Sequence, residues 1–216
     1  MKILFQGDSI TDAFRKPEEI NPAYQLGNGY AFLAAAHLGA KYPERRFEFF
    51  NRGISGHTLQ DLRDRWDRDG LAVDCDVVSL LVGVNDTIQA MKDGKDLGDE
   101  RFEESYSFLL DSLIGKNSSI RFILLEPFLL EVGEVTPVWR EHLTKRQSII
   151  AGIARGRGLP LIPLQRIFDE ASMRAPASYW SYDGIHPTHA GFQLIADAWL
   201  KVIAENASAR PDFSSR

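Results

Sequence analysis

The chain has 216 residues, 44% hydrophobic and 25% charged, and a formal net charge of −5 at neutral pH. This length favours one domain with one core, and the lack of a clustered basic surface argues against nucleic-acid binding. A single cysteine excludes a framework of intrachain disulfides. No apolar run approaches the roughly 18 residues that span a bilayer, and no signal peptide is visible. The sequence therefore predicts a cytoplasmic protein with no membrane partner, unless an export signal was removed.

Short apolar segments alternate with longer amphipathic segments along the chain. The apolar segments predict five strands: KILFQ, FEFFN, DVVSLLVG, IRFILLEP and LPLIPL. The amphipathic segments predict helices over Tyr30–Lys41, Thr58–Asp69, Arg101–Gly115, Val138–Arg157 and Thr188–Glu205. Strands that are apolar throughout are typical of a parallel sheet covered on both faces. The pattern predicts one α/β domain over residues 1–205, a doubly wound, flavodoxin-like, five-stranded parallel sheet, followed by a tail over residues 206–216.

Two long segments between these elements are predicted to be loops. Residues 86–100, DTIQAMKDGKDLGDE, are polar and contain glycine, which favours a loop with one helical turn at most. Residues 126–139, EPFLLEVGEVTPVW, form a second loop that is unusually apolar. Long loops at strand ends often shape a binding site.

Polar residues follow the carboxyl ends of the predicted strands, where open parallel sheets bind their ligands. Ser9 follows the first strand, Gly53 the second and Asn85 the third, while Asp183 and His186 follow the fifth strand and a short helix. Each residue alone has an ordinary structural interpretation. Ser9 fits an S-x-x-D helix cap, for example, and Asp183 begins an Asp-Gly turn.

Together these residues indicate acyl transfer. A serine becomes a nucleophile when a base takes its proton, and the base needs a third group to fix its tautomer. Asp183 and His186 are three positions apart across a tight turn, a spacing that lets the carboxylate meet Nδ1 while Nε2 faces outward. The N–H of Ser9, the N–H of Gly53 and the Asn85 amide can supply donors for an oxyanion.

The segments GDSIT, NRGISG, GVND and DGIHP resemble, in order and spacing, the four sequence blocks of the SGNH hydrolases, the GDSL esterase/lipase family. They span residues 7 to 187, nearly the whole chain. The resemblance implies that Ser9 is the nucleophile and that His186 is the base, oriented by Asp183. It also implies an oxyanion hole formed by the N–H of Ser9 with Gly53 and Asn85.

Ile10 occupies the position of the leucine that gives the GDSL family its name, and this side chain packs rather than reacts. The segments LGNGY, RGISGHTLQDLRDRW and DGIHPTHAG are similar to bacterial acetylxylan esterases and related carbohydrate deacetylases. This similarity implies a small-molecule or oligosaccharide acetyl ester as substrate and no cofactor. No His, Cys, Asp or Glu residues have zinc-like spacing, so no metal is expected. The family's frequent assembly leaves a homo-oligomer open, although the sequence shows no self-complementary patch.

A substrate pocket is predicted beside the nucleophile. Asp8, Trp180 and Phe128 are its candidate residues, and Tyr182 and Trp139 would extend an aromatic wall next to the acyl group or the sugar. The alternative, given equal weight, is that these large rings pack in the core.

Other functions remain open at this point. The apolar segment EPFLL is compatible with a lysophospholipase or thioesterase acting on longer acyl chains, and the same site residues could serve an acetyltransferase. A phosphate-binding, flavodoxin-like module using GDSIT at a helix N-terminus is a non-enzymatic alternative, but it leaves Asn85, Asp183 and His186 without a joint purpose. His57 is an alternative base that lacks an adjacent carboxylate.

Overall fold

The computed structural model describes residues 1–208, with side chains described for residues 1–205. Its centre is a five-stranded sheet in which every neighbouring pair of strands is parallel, in the order β2-β1-β3-β4-β5. The strands are β1 Lys2–Gly7, β2 Glu48–Asn51, β3 Val77–Leu81, β4 Arg121–Leu125 and β5 Leu161–Ile162. All five predicted strands are present, so the predicted doubly wound α/β fold is confirmed. Strand order reverses next to β1 and β3, the place where such sheets bind ligands.

Helices connect the strands and cover both faces of the sheet. In chain order they are α1 Ser9–Asp12, α2 Pro22–Gln25, α3 Tyr30–Lys41, α4 Leu59–Asp64, α5 Val84–Asp93, α6 Asp99–Lys116, α7 Pro137–Arg157, α8 Leu164–Ser172, α9 Ala177–Trp180 and α10 His189–Ser208. The helix predicted over Thr58–Asp69 is shorter than expected, because α4 ends at Asp64 and a separate π-helical turn follows over Asp67–Leu71.

The core consists of two buried apolar clusters, one on each face of the sheet. Ile3 and Phe5 of β1 belong to the cluster that contains Trp199 of α10. Leu4, between them, belongs to the cluster that contains Tyr106 of α6. Successive side chains of a strand point to opposite faces, so an uninterrupted apolar strand supplies both clusters at once. This is why the apolar runs in the sequence identified the strands.

Residues 86–100 differ from the loop predicted for them. Helix α5 covers the first part and ends at Gly94, whose φ of +65° is the left-handed conformation that commonly terminates a helix. Its first turn is buried although it contains the polar residues Asn85, Asp86 and Thr87. A buried polar turn lacks the apolar periodicity by which a helix is identified in a sequence, and this explains the wrong prediction.

The apolar loop after β4 is present but ends at Thr136, three residues earlier than predicted, because α7 begins at Pro137. Phe128, Leu129, Leu130 and Val135 are all buried, so this loop is part of the core. At the other end of the chain, α10 continues to Ser208. The tail predicted from residue 206 therefore begins within a helix, and its remainder, residues 209–216, lies outside the described residues. In the part of the chain that the structure describes, no helix has the length and apolar character needed to cross a membrane.

Candidate active site

Ser9 lies where β1 passes into α1. The helix is capped by Asp8, whose Oδ1 accepts a hydrogen bond from the N–H of Ile10 at 3.0 Å. The interpretation of Ser9 as the cap is therefore wrong. Ser9 is the first residue of the helix, so its own N–H has no intrahelical acceptor. A Cβ atom on Gly7 would lie 2.1 Å from the carbonyl oxygen of Leu81, so only glycine fits this close approach of β1 to β3.

Ser9, His186 and Asp183 form a continuous hydrogen-bonded chain. Ser9 Oγ lies 2.8 Å from His186 Nε2, and His186 Nδ1 lies 2.7 Å from Asp183 Oδ2. Asp183 Oδ1 also accepts the N–H groups of Ile185 and His186, at 2.9 and 2.7 Å. Burial acts to raise the pKa of Asp183, but these hydrogen bonds from His186 and Ile185 outweigh it and hold the pKa below its ordinary value. An ionised carboxylate therefore holds Nδ1, which leaves Nε2 to face the serine.

The turn that carries this pair is fixed from both sides. Gly184 has a φ of +88°, and a Cβ atom there would lie 2.4 Å from the carbonyl oxygen of Leu130. Its own carbonyl accepts the N–H of Leu130 at 2.9 Å. Ser181 pairs with Pro187 in an isolated antiparallel bridge, and Ser181 Oγ donates to the carbonyl oxygen of His186 at 2.8 Å. The Asp-Gly dipeptide is thus required by geometry as well as by turn chemistry.

Asn85, the second residue of α5, is 8% exposed. Its Nδ2 donates to the carbonyl oxygen of His57 at 3.0 Å. A side-chain amide carries two hydrogens, so one hydrogen remains for another acceptor.

Gly53 lies on the loop after β2, against the last residues of α1, Thr11 and Asp12. A Cβ atom on Gly53 would lie 2.4 Å from the backbone nitrogen of Asp12, so glycine is required. Its N–H donates to Asn51 Oδ1 at 2.9 Å, and Asn51 Nδ2 in turn donates to the carbonyl oxygens of Thr11 and Leu26. An oxyanion at this N–H would have to share its hydrogen with Asn51.

Three residues predicted to line a pocket are buried instead. Asp8 is fully buried, and burial raises its pKa to about 7. Phe128 is fully buried and stacks on Phe168 with ring centroids 4.0 Å apart. Trp180 is 8% exposed, and its Nε1 donates to the carbonyl oxygen of Ala171 at 3.1 Å. Their side chains have almost no surface that a substrate could touch, which favours the alternative that these residues pack in the core.

Tyr182 is the member of the predicted aromatic wall that is open to solvent. It is 60% exposed, and its ring stacks on His186 with centroids 5.7 Å apart and planes inclined by 13°. Trp139 is partly buried against the core, with the Lys92 ammonium 5.7 Å from its ring centroid. Tyr182 therefore offers an exposed aromatic surface in direct contact with His186.

Sequence reasoning missed one residue that contacts the backbone on two sides of this site. The guanidinium of Arg65, buried at the end of α4, donates to the carbonyl oxygens of Gly7 and Arg52 and to the ring of His57. Burial and the neighbouring Arg65 lower the pKa of His57. Nδ1 of His57 accepts the hydrogen bond from Arg65, and this disfavours His57 as an alternative base. Among residues 1–208, no group of three or more His, Cys, Asp or Glu is arranged to hold a metal ion.

Residues 5–194 match the model of the GDSL-like lipase/acylhydrolase family. The chain belongs to this family. The match includes every residue of the hydrogen-bonded chain described above, and it makes the protein a carboxylic ester hydrolase. A phosphate-binding module without activity is thereby excluded as its function.

Relatives of this GDSL hydrolase include an acetylxylan esterase from Geobacillus stearothermophilus, 33% identical over 94% of this chain and 93% of that protein. A crystal structure of that organism's acetylxylan esterase has a TM-score of 0.80 and 31% identity, covering 93% of this chain and 92% of the other. A crystal structure described as a GDSL-like lipase from Parabacteroides merdae has a TM-score of 0.88 and 34% identity, covering 93% and 94%. The resemblance to acetylxylan esterases predicted from the motifs is confirmed.

Proposed function

We propose that this GDSL hydrolase is a serine esterase that removes acetyl groups from carbohydrates, such as acetylated xylan or xylo-oligosaccharides, through an acyl-enzyme. The observation that carries the proposal is the chain of two short contacts, Ser9 Oγ to His186 Nε2 at 2.8 Å and His186 Nδ1 to Asp183 Oδ2 at 2.7 Å. Ester hydrolysis through a serine needs this order of nucleophile, base and orienting carboxylate.

In the first half of the reaction, Ser9 Oγ attacks the ester carbonyl carbon while its proton passes to His186 Nε2. Asp183 keeps the ring in the tautomer with its proton on Nδ1 and stabilises the imidazolium that forms. The tetrahedral intermediate collapses when the carbon–oxygen bond to the alcohol breaks. His186 then gives its proton to the departing alcohol oxygen, and the acetyl group remains on Ser9.

In the second half, His186 takes a proton from water and the resulting hydroxide attacks the acetyl carbon. Collapse of this second intermediate breaks the bond between the acetyl carbon and Ser9 Oγ, and the proton returns from His186 to Ser9 Oγ. The product leaves as acetic acid, which loses its remaining proton to solvent and becomes acetate. The side chains of His186 and Asp183 are 32% and 34% exposed. This exposure supports the second step, because water can reach the acyl group.

The negative charge on the tetrahedral oxygen needs donors that are already in position. Of the three predicted donors, the N–H of Ser9, at the start of α1, and the second hydrogen of Asn85 Nδ2 can donate without breaking an existing bond. Gly53 supplies a third, shared donor, because its N–H is bonded to Asn51 Oδ1. The structure therefore favours Ser9 and Asn85 as the principal donors.

The relatives give this proposal independent support. Crystal structures of catalytic mutants of the Geobacillus acetylxylan esterase replace a serine, an aspartate and a histidine by alanine, and the aspartate and histidine are three positions apart. Asp183 and His186 have the same separation in this chain. Another variant of that enzyme is described as an acetyl-xylooligosaccharide esterase, a substrate class that we extend to this chain.

Longer acyl chains are disfavoured by the loop after β4. The apolar segment that made such substrates attractive has Phe128, Leu129 and Leu130 buried at 0 to 2% exposure. These side chains fill the core, so they offer no apolar channel to an octanoyl chain.

The decisive experiment compares p-nitrophenyl acetate, butyrate and octanoate with acetylated xylo-oligosaccharides, using Ser9→Ala as the background. We expect kcat/KM to be highest for acetyl esters and acetate to be released from the oligosaccharides. A rate that rises from acetyl to octanoyl would contradict the proposal and favour a lysophospholipase or thioesterase. Transfer of acetyl to added xylose in preference to water would identify a transferase instead.

A further inference from the structure

Arg65 directly follows the last residue of α4, and its side chain is 6% exposed. A charged group is rarely buried to this degree unless its hydrogen bonds are satisfied. We propose that Arg65 is a positioning residue for the oxyanion-stabilising groups, a role that rests on the esterase function proposed above. Its guanidinium bonds the backbone next to Ser9 and next to Gly53. It also bonds the ring of His57, the residue whose carbonyl oxygen accepts the Asn85 amide.

Two of its contacts are with carbonyl oxygens at strand ends. Nη2 donates to Gly7 at 3.1 Å, two residues before Ser9. Nη1 donates to Arg52 at 2.8 Å. The Arg52 carbonyl belongs to the same planar peptide as the N–H of Gly53, so this hydrogen bond fixes the direction of that N–H and polarises it.

The third contact is with His57, which binds the Asn85 amide. Arg65 Nε donates to His57 Nδ1 at 3.3 Å, and the backbone carbonyl of His57 accepts the hydrogen bond from Asn85 Nδ2 at 3.0 Å. The histidine thus transmits the position of the guanidinium to the Asn85 amide.

The positive charge of Arg65 is anchored by Asp69, one turn along. Nη1 lies 3.2 Å from Asp69 Oδ2, and the Asp69 side chain is itself 10% exposed. Asp69 also binds Arg68 at 2.7 Å, and its carbonyl accepts the Nε2 donor of Gln6 at 2.6 Å. Burial would raise the pKa of Asp69, but hydrogen bonds from Arg68 and Arg65 hold it below its ordinary value. The ionised Asp69 carboxylate therefore also fixes the position of the Arg65 guanidinium.

This arrangement requires arginine rather than lysine. A guanidinium presents five N–H donors on three nitrogens in a rigid plane, whereas an ammonium has three donors on one nitrogen at the end of a flexible stem. Lysine at position 65 would keep the charge, but it could not bond Gly7, Arg52, His57 and Asp69 together. Donors that are held before the substrate arrives stabilise the transition state without further ordering, so their loss should lower kcat more than it raises KM.

The test compares Arg65→Lys with Arg68→Lys in steady-state hydrolysis of p-nitrophenyl acetate. Arg68 binds the same carboxylate, but its side chain is 73% exposed. We expect Arg65→Lys to lower kcat about 10²-fold, the order of one lost oxyanion donor, with KM changed less than about threefold. Arg68→Lys should keep the kcat of the parent protein. Active-site titration with an organophosphate counts the folded sites, so that kcat is expressed per competent serine.

A kcat within about threefold of the parent for folded Arg65→Lys would overturn the proposal, as would equal losses in kcat and in affinity. If Arg65→Lys does not fold, Asp69→Ala takes its place, since it releases the anchor and leaves the guanidinium. It should lower kcat about tenfold, and an unchanged kcat would be equally decisive against the proposal. Failure of the proposed function would look different, because the parent protein itself would then show no Ser9-dependent hydrolysis.

Discussion

The two sides of the candidate site are built in opposite ways. Asp183 and His186 lie on one turn, and the hydrogen bonds that orient the carboxylate join residues at most three positions apart. The oxyanion side is assembled from the ends of three strands. It depends on buried contacts between distant residues, such as Asn51 to Thr11 and Arg65 to Gly7.

This contrast predicts how each side responds to mutation. In the proposed mechanism, Asp183 and His186 both act in the transfer of the proton, so a single change at either should nearly abolish turnover. The oxyanion side shares its task among several donors and supporting contacts, so single changes there should give partial losses. Ser9 belongs to both sides, because its hydroxyl faces His186 and its N–H starts α1.

The largest effect is therefore expected for Ser9→Ala, which removes the nucleophile. We expect kcat/KM for p-nitrophenyl acetate to fall by about 10⁴-fold or more, because removing one member of a catalytic unit costs nearly as much rate as removing all of its members. Ser55→Ala is the matched control, because Ser55 bonds Asp12 nearby at 2.6 Å and is exposed. Retention of a tenth of the activity by Ser9→Ala would contradict a serine mechanism.

On the turn, Asp183→Asn should lower kcat by about 10³- to 10⁴-fold, because an amide favours the wrong tautomer of His186. The measurement is steady-state kinetics together with circular dichroism to confirm folding. Asp197→Asn, on the exposed side of α10, is the matched control. A loss of less than tenfold would place Asp183 outside the mechanism and make the turn no more sensitive than the oxyanion side.

On the oxyanion side, Asn85→Ala and Asn85→Asp should each lower kcat by about 10²- to 10³-fold with little change in KM. Aspartate has nearly the same shape but cannot donate a hydrogen when ionised, so it separates donation from packing. If Asn85→Asp kept the parent kcat, donation by Asn85 would be refuted.

The smallest effects concern stability, and they have opposite signs for Asp8 and Asp183. Burial raises the pKa of Asp8 to about 7, above its ordinary value of 3.8. The unfolded chain therefore releases this proton at lower pH than the folded chain, and stability falls as pH rises from about 4 to 7. Asp8→Asn removes this penalty and should raise Tm at pH 8, by about 2–4 °C for each kcal/mol gained. The gain should disappear near pH 4.

Asp183 should behave in the opposite way. Its pKa is held below the ordinary value, so its stabilisation is present above that value and is lost as pH falls through the folded-state pKa. Asp183→Asn should lower Tm at neutral pH and change it little in strong acid. Thermal unfolding of both variants at several pH values checks the pair. If the Tm differences of the two variants changed with pH in the same direction, the pKa values of Asp8 and Asp183 would not be shifted in opposite directions, and this prediction would be wrong.

The sequence predicted the sheet and the turn well, for a common physical reason. An apolar strand that is buried on both faces and a carboxylate three residues from a histidine are both local patterns. Helix α5 was missed because its buried first turn is polar, at Asn85 to Thr87. The capping role was given to Ser9 instead of its neighbour Asp8, since both are good caps and differ only in where the backbone leaves the strand.

Long-range polar contacts were beyond the reach of the sequence. Arg63, Arg65 and Arg68 look alike in LRDRWDRD, yet only Arg65 is buried, and its side chain reaches strand ends 13 and 58 positions away. The bond between Gly53 and Asn51 likewise depends on the fold of the loop. The same sequence pattern fits an aromatic residue that lines a pocket and one that fills the core, and Phe128 is fully buried in the core.

The turn at Gly184 also sets a limit on engineering. Its backbone is bonded to Leu130 and fits against the carbonyl oxygen of that residue with no room for a Cβ atom. Exchanging the loop over residues 126–136 for that of a relative, an obvious way to change substrate range, would therefore shift the histidine opposite Ser9. A library that keeps this loop and varies exposed positions such as Tyr182 and Tyr179 separates selectivity from the proton-transfer apparatus.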